Sequence, residues 1–157
     1  MQELVDLPVG EALPDFALPD VLSGSTASLR DFAGTIVVLK FWSVECPWCS
    51  HHDAYLVEQA PLWAREGIRL VLINSNANET PEQMRAKASE IGLRCVPILH
   101  DEGNVVADQY GALTTPHLFI AGPDGRLLYR GAMDDRTFRQ RTASVNYLER
   151  VLNALKS

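Results

Sequence analysis

The sequence as given shows little that would suit a membrane, an export pathway or a nucleic acid. No run approaches the roughly 20 apolar residues that a spanning helix needs; the longest, from Ile36 to Trp42, is interrupted by Lys40. The opening Met1-Gln2-Glu3-Leu4 has neither a basic start nor an apolar stretch. No secretory signal is visible, so the chain as given is expected in the cytoplasm. A chain trimmed of an export signal would read the same and would work outside it. The 14 Lys and Arg against 20 Asp and Glu give a net charge of −6, which argues against nucleic acid or anionic lipid as a partner. Cysteine is scarce as well. Three in 157 residues do not make a disulfide framework, and one close pair plus a single thiol suggests redox or metal chemistry instead. Repeats, low-complexity tracts and Gly/Ser linkers are absent. A hydrophobic fraction of 46% is enough for a buried core, so one folded domain over 1–157 is expected.

Residues 1–15, punctuated by Pro8, Gly10 and Pro14, are expected to be extended. Phe16-Ala17-Leu18 and Thr26-Ala27-Ser28-Leu29 flank Ser23-Gly24-Ser25 and suit a short hairpin. Thr35 to Trp42 is a nearly continuous β-branched and aromatic run, the pattern of a strand buried on both faces. A helix is expected from Pro47, with Leu56, Ala60 and Trp63 on one side and Gly67 at its end. Ile68 to Ile73 reads as a second buried strand. Thr80, Pro81 and Gln83 then make a helix start with a capping box. Val96 to Leu99 suits a short edge strand, and Asn104 to Tyr110 a short helix. Leu118 to Ala121 and Arg126 to Tyr129 form a hairpin across Asp124-Gly125. A closing helix is expected over Ser144 to Leu155. Strand–helix–strand segments followed by a hairpin imply an α/β fold with a mixed sheet and helices on both faces.

The chemistry centres on Cys46-Pro47-Trp48-Cys49, where the buried strand gives way to the helix. Cys46 would be the N-cap, Pro47 the first helical residue and Cys49 the third. Proline is tolerated there because its missing N–H would be unpaired in any case. The orphan amides and the helix dipole favour an anion. A thiolate at Cys46 is thus stabilised, and its pKa is expected below the free value of about 8.5. Cys49, one turn on, is close enough to form a disulfide and is expected to be the more buried of the two. Two inert buried cysteines, or a metal site built from Cys46, Cys49, His51 and His52, are the alternatives. Adjacent histidines on a helix point about 100° apart, which works against convergence of all four.

These features resemble the thioredoxin superfamily, and more closely its redoxin branch of AhpC/TSA, peroxiredoxin-like and ResA-like proteins. Pro14-Asp15-Phe16-Ala17-Leu18, Gly24 and Leu29-Arg30-Asp31-Phe32-Ala33-Gly34 resemble the N-terminal addition of that branch. Val37 to Cys49 is similar to its strand and active site, and Tyr110 to His117 to its second active-site loop. The resemblance implies a thioredoxin-like fold: a mixed central sheet flanked by helices on both faces, a hairpin extension over 1–34 and a core over 35–157. It implies thiol–disulfide exchange with protein substrates, with Cys46 as nucleophile, Cys49 as resolving thiol and no cofactor. Pro116 is implied to be cis, with Thr115 and Pro116 against the disulfide. A thiol reductant would reset the pair. Trp48 is expected to be exposed toward protein partners.

Some positions depart from the family. Where thioredoxins carry a buried acid, six residues before the first Cys, this chain has Lys40. Lys40 is not expected to accept a proton, and its stem is expected to carry the amine to solvent. His52 stands where related reductases carry Glu; it either takes up the proton of Cys49 or is a solvated helix residue. Trp42 suits either the core or the surround of the site. Cys95 reads as a small core residue or as a second resolving thiol. A peroxidase built on Cys46 is the runner-up: Ser43 fills that family's hydroxyl position, but Leu39 stands where its proline belongs. Redox direction, physiological substrate and oligomeric state are not legible.

Overall fold

The computed structural model describes residues 10–44, 47–93, 96–110, 117–131 and 152, without the side chains of 47–52, 117 and 131. Within these residues a five-stranded sheet carries the architecture. The strands are β3 (Ile36–Phe41), β4 (Ile68–Asn74), β5 (Ile98–His100), β6 (His117–Ala121) and β7 (Leu127–Gly131). Their order is β5-β4-β3-β6-β7. β3 and β4, and β4 and β5, run parallel, whereas β6 and β7 are antiparallel additions. The mixed sheet expected from the sequence is therefore present, and the Val96–Leu99 run does lie at an edge. A small hairpin precedes the sheet, β1 (Ala17–Pro19) against β2 (Thr26–Ser28). Gly24 in its turn has φ 78°, a conformation that glycine alone adopts without steric cost.

The helices follow the local signals. α1 (Pro47–Arg65) buries Leu56 and Trp63. α2 (Pro81–Ile91) starts on the capping box: Thr80 Oγ1 accepts from Gln83 N at 3.2 Å, and Gln83 Oε1 accepts from Thr80 N at 2.8 Å. It ends at Gly92 in the left-handed region. α3 (Val105–Tyr110) is a short turn and a half. The expected closing helix lies outside the described residues except for Leu152, which is buried in the core.

Because side chains alternate across a strand, the sheet divides the core in two. Val38, Trp42, Leu70, Leu72, Leu118 and Ile120 pack with α1, α2 and Leu152. Val37, Leu39, Phe41, Val71, Ile73 and Phe119 pack on the other face. That second face is closed by α3 and by Leu13, Phe16, Leu18, Leu29 and Phe32 of the N-terminal extension. The hairpin region is thus a wall of the core. One hydrogen bond fastens it to α3. The buried Tyr110 hydroxyl donates to the Pro14 carbonyl at 2.6 Å, while burial and the charge of Asp15 push the phenol above its ordinary pKa and keep it a donor. Tyr110→Phe is expected to lower stability by about 1 kcal/mol, read as an earlier urea midpoint at unchanged slope.

Candidate active site

Three strands deliver their ends to one edge of the sheet. Phe41, the last residue of β3, pairs with Ile73 of β4 and with His117, the first residue of β6. Since β3 and β6 are antiparallel, the chain leaving β3 toward Cys46 and the chain entering β6 from Pro116 meet at the same end. Cys46, Thr115 and Pro116 themselves lie outside the described residues, as does Cys95. The backbones of Trp48, Cys49 and His52 lie in the first turns of α1, with their side chains outside the description. α1 starts at Pro47, so Cys46 is the residue before the helix and Cys49 its third residue. The first turn carries no acidic residue to compete with an anion at the positive end of the dipole.

The loop after β4 braces the approach to this point. Glu79, 5% exposed, receives four hydrogen bonds from the described residues. Ser43 Oγ donates to Oε2 at 2.8 Å and the Val44 backbone N–H to Oε1 at 2.7 Å. Asn74 Nδ2 donates to Oε1 at 2.8 Å and Asn76 Nδ2 to Oε2 at 3.2 Å. The same loop reaches the other approach. Ser75 Oγ donates to Asp101 Oδ2 at 2.8 Å, and the buried Asp101 carboxylate accepts from Val106 N and Ala107 N at 3.0 and 2.9 Å. Those amides open α3, whose last residue, Tyr110, precedes the segment with Thr115 and Pro116. One loop therefore positions both flanks.

Beneath the site lie two further buried charged groups, Asp53 and Lys40. Asp53 is one turn beyond Cys49 in α1, is 5% exposed and accepts from Trp42 Nε1 at 3.1 Å. Burial pushes its carboxyl above the ordinary value; the charge of Lys40, the Trp42 N–H and the charge of Lys87 oppose the rise without cancelling it. Lys40 corrects the expectation that its stem would reach solvent: it is fully buried. The reason is its place in the central strand, on the face with Val38 and Trp42 that α1 covers, where the charge of Asp53 offsets the cost of keeping it there. Trp42 is wholly buried and belongs to the core, so of its two readings the core one holds, although its N–H serves Asp53. Asp53 went unnoticed in the sequence, yet its signal was present. It stands in the stripe Asp53, Leu56, Ala60, Trp63, a polar residue at an apolar position. Glu79 and Asp101 had no local signal.

Comparison with known proteins decides the family. The AhpC/TSA family model matches residues 9–130. The chain belongs to the AhpC/TSA family. Within reach of this AhpC/TSA chain is the thiol-disulfide oxidoreductase ResA of Bacillus thuringiensis subsp. konkukian, 28% identical over 120 residues, 76% of this chain and 67% of that one. The ResA of Geobacillus thermodenitrificans is 29% identical over 139 residues, 87% of this chain and 78% of its relative. Among solved structures, an uncharacterized conserved protein from Geobacillus kaustophilus superposes with a TM-score of 0.81 at 32% identity, covering 89% of this chain and 77% of that one. A putative thiol:disulfide interchange protein DsbE from Chlorobium tepidum gives 0.80 at 21% identity, covering 97% and 100%; that likeness concerns the fold, which is thioredoxin-like. Among the described residues no cluster of three metal-ligating side chains occurs, and no helix is long and apolar enough to cross a membrane.

Proposed function

We propose that this AhpC/TSA protein is a thiol–disulfide oxidoreductase that exchanges a Cys46–Cys49 dithiol and disulfide with protein substrates. The observation that carries the proposal is the start of α1 at Pro47, between the two cysteines and shortly after a strand buried from its second residue to its last. Cys46, as thiolate, attacks one sulfur of a substrate disulfide, and the other sulfur leaves as a thiolate. Cys49, giving up its proton, attacks Cys46 in the mixed disulfide and releases the second substrate sulfur. Two electrons pass to the substrate, and the protein is left with a Cys46–Cys49 disulfide. A thiol reductant returns it to the dithiol. Thr115, Pro116 and Trp48 face the substrate, and His52 is the proton acceptor for Cys49. The names and identities of the ResA relatives support this reading.

The surroundings of Ser43 favour dithiol exchange over peroxide reduction. A peroxidase of this family needs that hydroxyl as a donor to the peroxide. Here its single proton is given to Glu79, and its oxygen accepts from Asn76 Nδ2 at 3.3 Å. Wild type and Cys46→Ser are therefore to be compared with insulin disulfide and with hydrogen peroxide. Insulin reduction that disappears in Cys46→Ser, with peroxide consumed no faster than by a free thiol, is the expected result. Rapid peroxide turnover without insulin reduction would reverse the assignment.

A further inference from the structure

We infer that Glu79 is a positioning residue for the Cys46–Cys49 couple and that its buried charge holds the couple toward the reducing end of its range. The inference rests on the dithiol reading above. Among the described residues four donors converge on the Glu79 carboxyl, two on each oxygen. Three are N–H groups, which cannot accept, and Ser43 turns its only proton the same way. An ionised carboxylate satisfies this arrangement because it is acceptor-only, whereas a neutral acid would need one oxygen to donate. These dipoles, from β3's extension and from its own loop, help fix the charge in place.

Its position relative to the reacting sulfur follows from chain length. Val44, bonded to Glu79 at 2.7 Å, is two residues before Cys46. Two residues span at most about 7 Å, so the Cys46 backbone lies within that distance of Val44. With the 2.7 Å from Val44 to the carboxylate, the charge lies within about 10 Å of the Cys46 backbone, and at that range, in surroundings less polarisable than water, it disfavours a thiolate at Cys46. It thus opposes the helix dipole. A less stable thiolate makes the reduced form a better electron donor, just as a stabilised one makes an oxidant. Among the described residues the other buried charges at this end are Lys40 and Asp53 beneath Trp42, with Lys87 acting on Asp53, and Asp101 bonded to Ser75. The variants below leave all of these in place.

The test compares wild type, Glu79→Gln, Ser43→Ala and Asn76→Asp in the full chain. Two readouts are followed: thiolate ultraviolet absorbance against pH, assigned with Cys46→Ser, and equilibrium with glutathione. In that equilibrium the oxidised protein takes two electrons and two protons from two glutathione thiols, giving dithiol and glutathione disulfide. Glu79→Gln is expected to bring the Cys46 thiolate on about one pH unit lower. It should also shift the equilibrium toward the dithiol by up to about tenfold, or about 30 mV. Ser43→Ala, which removes a hydrogen bond and keeps the charge, is expected to leave both near wild type. Asn76→Asp, which adds a charge beside the first, is expected to raise the thiolate pH, and it decides the matter should Glu79→Gln not fold. A Cys46 titration unmoved by Glu79→Gln, moved equally by Ser43→Ala, or unmoved by Asn76→Asp overturns the inference alone. A wild-type protein with no titration lost in Cys46→Ser overturns the dithiol reading, and the inference with it.

Discussion

Replacing Cys49 by Ser is expected to stop turnover while leaving the protein joined to its substrate. The first step needs only Cys46, so a substrate disulfide is still opened and a mixed disulfide still forms. Without the second thiol, release depends on an outside thiol. Insulin reduction should fall by three or more orders of magnitude, as when a covalent-catalysis group that works as a unit is removed. Cys46→Ser should lose as much activity and form no adduct. Non-reducing gels and mass spectrometry of the protein mixed with insulin would check both. The asymmetry matters more than the loss itself. Adducts in Cys46→Ser but not in Cys49→Ser would reverse the two roles and contradict the expectation that the residue before α1 is the activated one.

The second large effect concerns stability. Lys40 is fully buried and its charge acts on the buried Asp53. Lys40→Met should leave the carboxylate without that charge, and Asp53→Leu should remove an opposite charge from the surroundings of the amine. Removing one of two buried opposite charges leaves the other less compensated, so either single variant should lower stability, by at most about 3–5 kcal/mol, the cost of breaking a contacting pair. The double variant Lys40→Met/Asp53→Leu should recover most of the loss, because apolar side chains of similar volume avoid the desolvation cost altogether. Urea denaturation of the four proteins completes the cycle. Additive losses would mean that the two charges act independently.

The pH dependence has a defined sign. The Asp53 carboxyl is raised above its ordinary 3.8 in the folded protein, first by burial. Its contribution is fully present below the unfolded value and is lost as pH rises through the folded one. Measured against Asp53→Asn, whose side chain does not titrate, wild type should therefore lose ground as pH is raised above 3.8. A wild type that gains ground over that range would show that Lys40 and Trp42 outweigh burial.

What local spacing encodes, the sequence determined by itself. The β-branched run before Cys46, the Thr80–Gln83 capping box, the Asp124-Gly125 turn and the Ser23-Gly24-Ser25 turn each place an element within a few residues of where it lies. They do so because each rests on contacts a few residues apart. The placement of α1 at Pro47 belongs to the same class, since the first helical position is where a proline without an N–H costs least. Tertiary structure alone decided which polar groups are enclosed. Ser43 and Glu79 are 36 residues apart, and Tyr110 and Pro14 are 96 apart; no periodicity links such positions. Lys40 looks like a residue with a route to water because a long stem can carry an amine out of a buried strand, and only the assembled structure closes that route. A buried charge is tolerated only when its partners arrive from other elements, and only the assembled sheet brings Asp53 to Lys40, and Ser43, Val44, Asn74 and Asn76 to Glu79.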